Sequence, residues 1–299
     1  MAGTNGSTGG GGAVLVTGCS SGIGRAVALG LAARGYRVFA GVRCAEVGAG
    51  LDSSGSGQIQ HLLLDVTDDG QLESAVHTVH EAAGGALLAL VNNAGVGLPA
   101  AVELSSPDEV RRLLEVNTLG PLRLTQACLP MLREGVRRHG RGRVVNVSSL
   151  NGTLALPMVG AYSASKFALE ALTDTMRVEL RPWGIRLSTV RPGQVRTPIF
   201  DKARKELAEQ QSQIPDHLRD GYAELYRRAG RFNERGGESA TKPEHVAEAV
   251  RRALEARWPR PYYTVGWDAR GLQWLRAGAG PRMFDRIMAR VMGTLKRVD

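Results

Sequence analysis

The chain has 299 residues, 43% hydrophobic and 22% charged, with a formal net charge of +9. No apolar run approaches the roughly 18–20 residues of a membrane span, and Cys19, Cys44 and Cys128 offer neither a disulfide framework nor metal-ligand spacing. That pattern excludes a disulfide scaffold and a metal site and points to a reducing cytoplasm. Much of the positive charge is C-terminal: residues 270–299 hold seven Arg or Lys against two Asp, without the interleaved aromatics of a nucleic-acid module, so no nucleic-acid partner is expected. A second basic cluster, Arg133 to Arg143, reads as a solvated loop.

Residues 1–12 are almost all small or polar; they cannot bury a core and read as a disordered tail, without the basic and apolar regions of a signal peptide. Short apolar runs then alternate with helix-period stretches. The predicted strands are Ala13–Val16, Tyr36–Ala40, His61–Leu64, Leu87–Val91, Arg143–Val147, Ile185–Val190 and Tyr262–Val265. Helices are predicted over Gly22–Arg34, Asp69–Ala83, Pro107–Arg133 (one or two) and Pro157–Arg181. Strands alternating with helices of this length imply parallel βαβ units, hence an α/β fold with one doubly wound sheet of about seven strands. The polar stretch 197–242 reads as a helical lid within a catalytic domain at 13–267, and 268–299 as an amphipathic extension.

Thr17-Gly18-Cys19-Ser20-Ser21-Gly22-Ile23-Gly24 lies where the first strand turns into a helix. Gly18 suits a tight turn, Gly22 a close backbone approach to a pyrophosphate, and Gly24 close helix–strand packing at an anion-attracting helix N-terminus. Tyr162 and Lys166, four apart on a predicted helix, stack with Cβ atoms roughly 5–6 Å from each other. A phenol with a reference pKa of about 10 needs roughly 4 kcal/mol of help to drop by about three units, and a fixed ammonium is expected to supply it.

The G-x-x-x-G-x-G spacing, Asn92-Asn93-Ala94-Gly95 after the fourth strand, and Tyr162/Lys166 together resemble the short-chain dehydrogenase/reductase family over nearly all of residues 13–267. The glycine loop and Ser165-Lys166-Phe167-Ala168-Leu169-Glu170 resemble its hydroxysteroid and retinol dehydrogenase branch. The resemblance implies a Rossmann-type nicotinamide oxidoreductase with a tetrad of Asn117, Ser149, Tyr162 and Lys166. Ser149, rather than Ser148, has the family's thirteen-residue spacing to the tyrosine. Implied cofactor contacts are Gly18, Ser20, Ser21, Gly22, Ile23, Gly24, Val66, Asn92, Ala94, Gly95, Tyr162, Lys166, Pro192, Gly193, Val195 and Thr197. Asp65 resembles the adenine-binding residue, and a turn or helix-cap role is equally open to it. Arg43, with no acid at positions 41–45, points to NADP(H) over NAD(H).

For the substrate, Ile199, Phe200, Ile214, Leu218, Tyr222, Leu225 and Tyr226 suggest either a pocket for a bulky apolar carbonyl or alcohol compound, or ordinary lid packing. Residues 281–297 carry Phe284, Ile287, Met288, Val291, Met292 and Leu295 at helical spacing beside Arg282, Arg286 and Arg290. That stripe fits a helix docked on the domain or a partner subunit, or peripheral attachment to an anionic membrane. The family resemblance also implies a homodimer or homotetramer through helices at 107–133 and 157–181. Two rival activities are weighed: a ketoacyl reductase on acyl-carrier-protein thioesters, and a non-enzymatic NADP-sensing module.

Overall fold

The computed structural model describes residues 11–54 and 57–294. The strands are β1 (Ala13–Val16), β2 (Arg37–Val42), β3 (Ile59–Leu63), β4 (Ala89–Asn92), β5 (Gly142–Val147), β6 (Ile185–Pro192) and β7 (Tyr262–Val265). They pair in parallel in the order β3-β2-β1-β4-β5-β6-β7. All the strands expected from apolar runs are present, with ends shifted by a residue or two. β2, for instance, continues through Gly41 and Val42 because Leu62 and Leu63 of β3 stand opposite them. Residues 1–10 and 295–299, with most of the expected tail and Leu295, lie outside the described residues.

The period-two alternation of β1 sorts its side chains into two cores. Val14 and Val16 join Val27 and Leu31 of α1 (Gly22–Ala32) and Val246 and Val250 of α9 (Pro243–Glu255). Ala13 and Leu15 join Leu72 and Val79 of α3 (Asp69–Ala82) and Leu124 and Leu132 of α5 (Gly120–His139) on the other face. Strand order reverses between β1 and β4, so their carboxyl ends open a crevice where ligands of such sheets bind. Two helices escaped the sequence reading, α9 and α2 (Ala45–Ser54). α2 has little apolar periodicity, and it is held by Asp52, which accepts from His61 N at 2.7 Å and meets the His61 ring at 2.6 Å.

The stretch 107–133 is two helices. α4 (Pro107–Leu114) starts from a Ser106/Glu109 capping box, and a wider π turn, Glu115–Leu119, separates it from α5. α6 (Gly160–Glu179) follows β5. Beyond β6, the lid is indeed helical: α7 (Ile199–Ser212) and α8 (Asp216–Ser239). Ile214, Leu225 and Tyr226 are buried there with Ala101 and Met158, and Leu218 and Tyr222 pack against them. The side chains of Ile199 and Phe200 lie outside the described residues.

The extension is longer than its apolar stripe suggested. α10 (Trp267–Met292) starts directly after β7 and bends at Gly280, whose φ of 69° and ψ of 173° precede Pro281. Ala269 and Phe284 pack on Leu150 and Leu154, and Met292 joins the lid core. Arg228 of α8 donates to the carbonyls of Arg290 (3.0 Å) and Val291 (3.1 Å), fastening the end of α10. α10 is therefore docked on its own domain.

Candidate active site

The loop after β1 is shaped by glycines and clamped from β4. Gly18 and Gly22 have φ of 70° and 56°, which side chains rarely adopt, and a Cβ on Gly24 would stand 2.2 Å from the Gly18 carbonyl oxygen. The Thr17 hydroxyl accepts from the backbone N–H of Asn93 and of Ala94, both at 2.9 Å. The Asn93 amide donates back to the carbonyls of Thr17 (2.9 Å) and Gly18 (3.2 Å). Ser21 caps α1 without a side-chain bond and is exposed, Ser20 is partly exposed, and Ile23 turns onto the core. A Cβ on Gly22 would lie 2.8 Å from Thr197, so the loop after β6 borders the same cradle. An open helix N-terminus with no acid in its first turn, lined by backbone that only glycine permits, fits a dinucleotide pyrophosphate.

The expected nucleotide contacts lie at this same edge. Arg43 is exposed just past β2, near Asp65 at the end of β3. Burial works to raise the Asp65 carboxyl. Bonds from Thr67 N (3.0 Å) and Thr67 Oγ1 (2.7 Å), then the charges of Arg43 and Arg112, outweigh it and hold Asp65 below the usual range. Val66 is buried against Gly120. Asn92 points inward: its amide donates to Asn146 Oδ1 (2.8 Å) and Thr125 Oγ1 (3.1 Å). After β6, Gly193 N donates to Val265 O (2.9 Å), Gln194 N donates to Asp268 (2.7 Å), and Val195 pairs with Thr241. A Cβ on Gly193 would collide with the Asp268 carboxylate at 2.2 Å, so the Pro192–Thr197 loop is set by α10 as well as by β6.

The four tetrad residues converge from three elements. Ser149 lies two residues past β5, at the start of the turn Leu150–Gly152, and Tyr162 and Lys166 sit one turn apart in α6, while Asn117 lies in the π turn. Asn117 accepts from Val96 N (2.9 Å) and donates to Val96 O (2.9 Å) and Ser165 Oγ (3.0 Å); Thr118 donates to Ser165 O (2.8 Å). The turn is thereby bolted to α6 and to the Gly95 segment. Deeper, Asn146 links Asn92 to Thr173 of α6 at 2.8 Å on each side. Ser149, not Ser148, is hydrogen-bonded to Tyr162, and its Oγ also accepts from Asn151 N at 3.1 Å.

The electrostatics depart from the sequence expectation. Tyr162 keeps part of its side chain accessible, yet desolvation pushes its phenol up, and the hydrogen bond with Ser149 works against that push. Lys166 is itself buried, with Nζ 5.9 Å from the tyrosine ring centroid and donating to Val147 O at 3.2 Å. Burial brings Lys166 down to about 8, opposed by the charge of Glu170. A desolvated ammonium is closer to discharge than the solvated one the sequence argument assumed.

Sequence reasoning assigned no part to Thr17, Asn146, Thr173 and Asp268. A threonine directly before the first glycine was the one visible signal; the others become meaningful only when distant elements meet.

A family model described as short chain dehydrogenase matches residues 12–208. The chain belongs to the short-chain dehydrogenase/reductase family, whose members are oxidoreductases acting on alcohols and ketones with nicotinamide cofactors. Within it the chain groups with the hydroxysteroid and retinol dehydrogenase branch. It is 37% identical over 276 residues to retinol dehydrogenase 5 of Homo sapiens, spanning 90% of this chain and 84% of that protein. Identity to human 17-beta-hydroxysteroid dehydrogenase type 6 is 33% over 268 residues, spanning 86% and 81% of the two. A short-chain dehydrogenase from Streptomyces avermitilis superposes with a TM-score of 0.74 at 31% identity, covering 92% of this chain and 96% of that one.

Proposed function

We propose that this chain is an NADP(H)-dependent oxidoreductase that interconverts a secondary alcohol and a ketone, or an aldehyde, on a bulky apolar substrate of steroid- or retinoid-like character. The observation that carries the reading is Tyr162, bonded to Ser149 and one turn from the buried Lys166, at the sheet edge that also holds the glycine cradle. When bound, the nicotinamide supplies or takes up the hydride. Ser149 donates to the substrate oxygen where negative charge grows, and Tyr162 gives or takes the proton at that oxygen. Asn117 holds the turn behind Lys166, which favours the ionised phenol while it carries its own charge. Exposed Arg43, with no acid from 41 to 45, supports a 2′-phosphate partner.

The apolar substrate class is supported by the names of the two human relatives. The test is NADPH consumption over steroids, retinoids, aliphatic ketones and acetoacetyl thioesters, with Tyr162→Phe beside the unaltered enzyme. We expect turnover of the first two classes and a loss of at least about 10²-fold in Tyr162→Phe with NADPH binding retained. Turnover of thioesters alone, or of nothing, would replace this reading by a ketoacyl reductase or a binding module.

A membrane-peripheral, cytoplasmic placement is part of the same proposal, and the surface of α10 favours it. Trp267 and Trp274, two turns apart, are 86% and 80% exposed, Arg270 lies 5.5 Å from the Trp267 ring centroid, and Arg282, Arg286 and Arg290 are exposed beyond the bend at Gly280. Indole rings and arginines on one helix suit the boundary of an anionic bilayer. Pairing of subunits through α6 is supported by Phe167 and Val178, three turns apart and both exposed.

A further inference from the structure

A chain of charges runs from the buried Glu170 beneath the tetrad out to Tyr262 and Asp174 at the surface, and the proton transfer gives it no part. Glu170 follows Lys166 by one helical turn and is 6% exposed. Arg191 of β6 meets its two carboxylate oxygens through two parallel bonds of 2.9 Å. Arg191 lies 3.6 Å above the ring of Tyr262 on β7, and the Tyr262 hydroxyl donates to Asp174 at 2.9 Å, which also accepts from Arg177 at 2.7 Å. A Cβ on Gly152 would stand 3.0 Å from Glu170 Cγ and 3.2 Å from the Lys166 carbonyl, so the carboxylate stem packs directly under the turn that follows Ser149.

We propose that Glu170 and Arg191 are positioning residues that set the charge carried by Lys166, the carboxylate holding the ammonium in its charged form and the guanidinium limiting how strongly it does so. The proposal rests on the reading of Tyr162 and Lys166 as the proton-transfer pair. Among the described residues Lys166 makes no ion pair within 4.0 Å; its ammonium donates to the neutral Val147 carbonyl. A buried ammonium without a contacting anion tends to discharge. The groups that face it are few. Tyr162 and Glu170 lie on its own helix, Arg191 reaches Glu170 from β6, and Asp174, Arg177 and Tyr262 stand further along the chain. β5 and the π turn contribute only the Val147 carbonyl and the Asn117 amide. Glu170 is the acid among these whose field reaches the lysine, and it opposes the fall that burial imposes. A carboxylate bound in both oxygens by Arg191 presents a weakened field. The pair is thus built to keep Lys166 between full charge and discharge.

The alternative is that the pair only ties α6 to β6. The pH profile of kcat for carbonyl reduction separates the two. With the ammonium as the active form, activity falls as pH rises through the lysine's titration. Glu170→Gln removes the negative field, so that alkaline limb should move down by about one pH unit. Arg191→Gln strengthens the field, so the limb should move up. Glu170→Asp, which keeps the charge, should restore the original limb. A limb that stays in place, or moves the same way in Glu170→Gln and Arg191→Gln, overturns the proposal. Should Glu170→Gln fail to fold, Arg191→Gln decides alone: an upward move supports it, and an unmoved or downward limb sinks it. Tyr162→Phe keeps the two readings apart. Turnover surviving there removes the proton-transfer assignment, whereas an inactive Tyr162→Phe with unmoved limbs removes only the role of Glu170 and Arg191.

Discussion

Tyr162 illustrates how much a single side chain owes to its surroundings. Its spacing to Lys166 was visible in the sequence, but spacing argued for a lowered phenol, and desolvation raises it. Lowering it therefore depends on charge retained by Lys166 inside a dry site, not on proximity alone. Arg43 carries the proposed preference for NADP(H), because it stands just past β2 with no acid beside it from 41 to 45. Removing its guanidinium should cost about 1.5–3 kcal/mol of binding to a 2′-phosphate. Arg43→Asp is therefore expected to weaken NADPH roughly 10- to 100-fold and leave NADH equal or better, measured as the ratio of kcat/KM for the two cofactors. An unchanged ratio would show that Arg43 does not read the phosphate.

At the level of elements, the site is held by cross-links between strands and helices that no local pattern announces. Thr17 directly follows β1, yet its hydroxyl satisfies two backbone donors from the segment after β4. Thr17→Val keeps the shape and strands both N–H groups, so a loss of about 1–3 kcal/mol is expected by urea denaturation. Cofactor binding should weaken in parallel, because the freed segment no longer braces Gly18; unchanged stability would show that the two N–H groups find other partners. The π turn is a second case. The stretch 107–133 is periodic enough to be read as helix, but the extra residue that widens it at Glu115–Leu119 aims Asn117 toward α6. The breadth of that turn follows from Asn117 and Thr118 binding Ser165, a partner far along the chain.

For the whole molecule, the lid and α10 act together over the carboxyl edge of the sheet. The lid core takes in Met292, and the other end of α10 packs on the turn after Ser149, leaving Trp267 and Trp274 facing out. If that face meets lipid, sedimentation with anionic vesicles should be strong for the full chain. It should fall severalfold in Trp267→Ala/Trp274→Ala, and 0.5 M salt should weaken it through screening of the arginines. Sedimentation that ignores the tryptophans would assign the face to a partner subunit instead, visible as a change in oligomeric state. Asn117 and Ser149 were reached only through the resemblance to the family, whereas by itself the sequence determined the strands, their parallel arrangement, the glycine cradle and the spacing of Tyr162 and Lys166. Each of these follows from a short-range rule: period-two burial, a glycine where a Cβ would clash, one helical turn between two side chains. Tertiary structure alone decided the existence of α2 and the docking of α10. It also decided the inward turn of Asn92 and the setting in which Tyr162 and Lys166 work, because desolvation and hydrogen bonding there come from residues distant in sequence. The proton-transfer pair was legible as a spacing; its electrostatics belong to the fold that buries it.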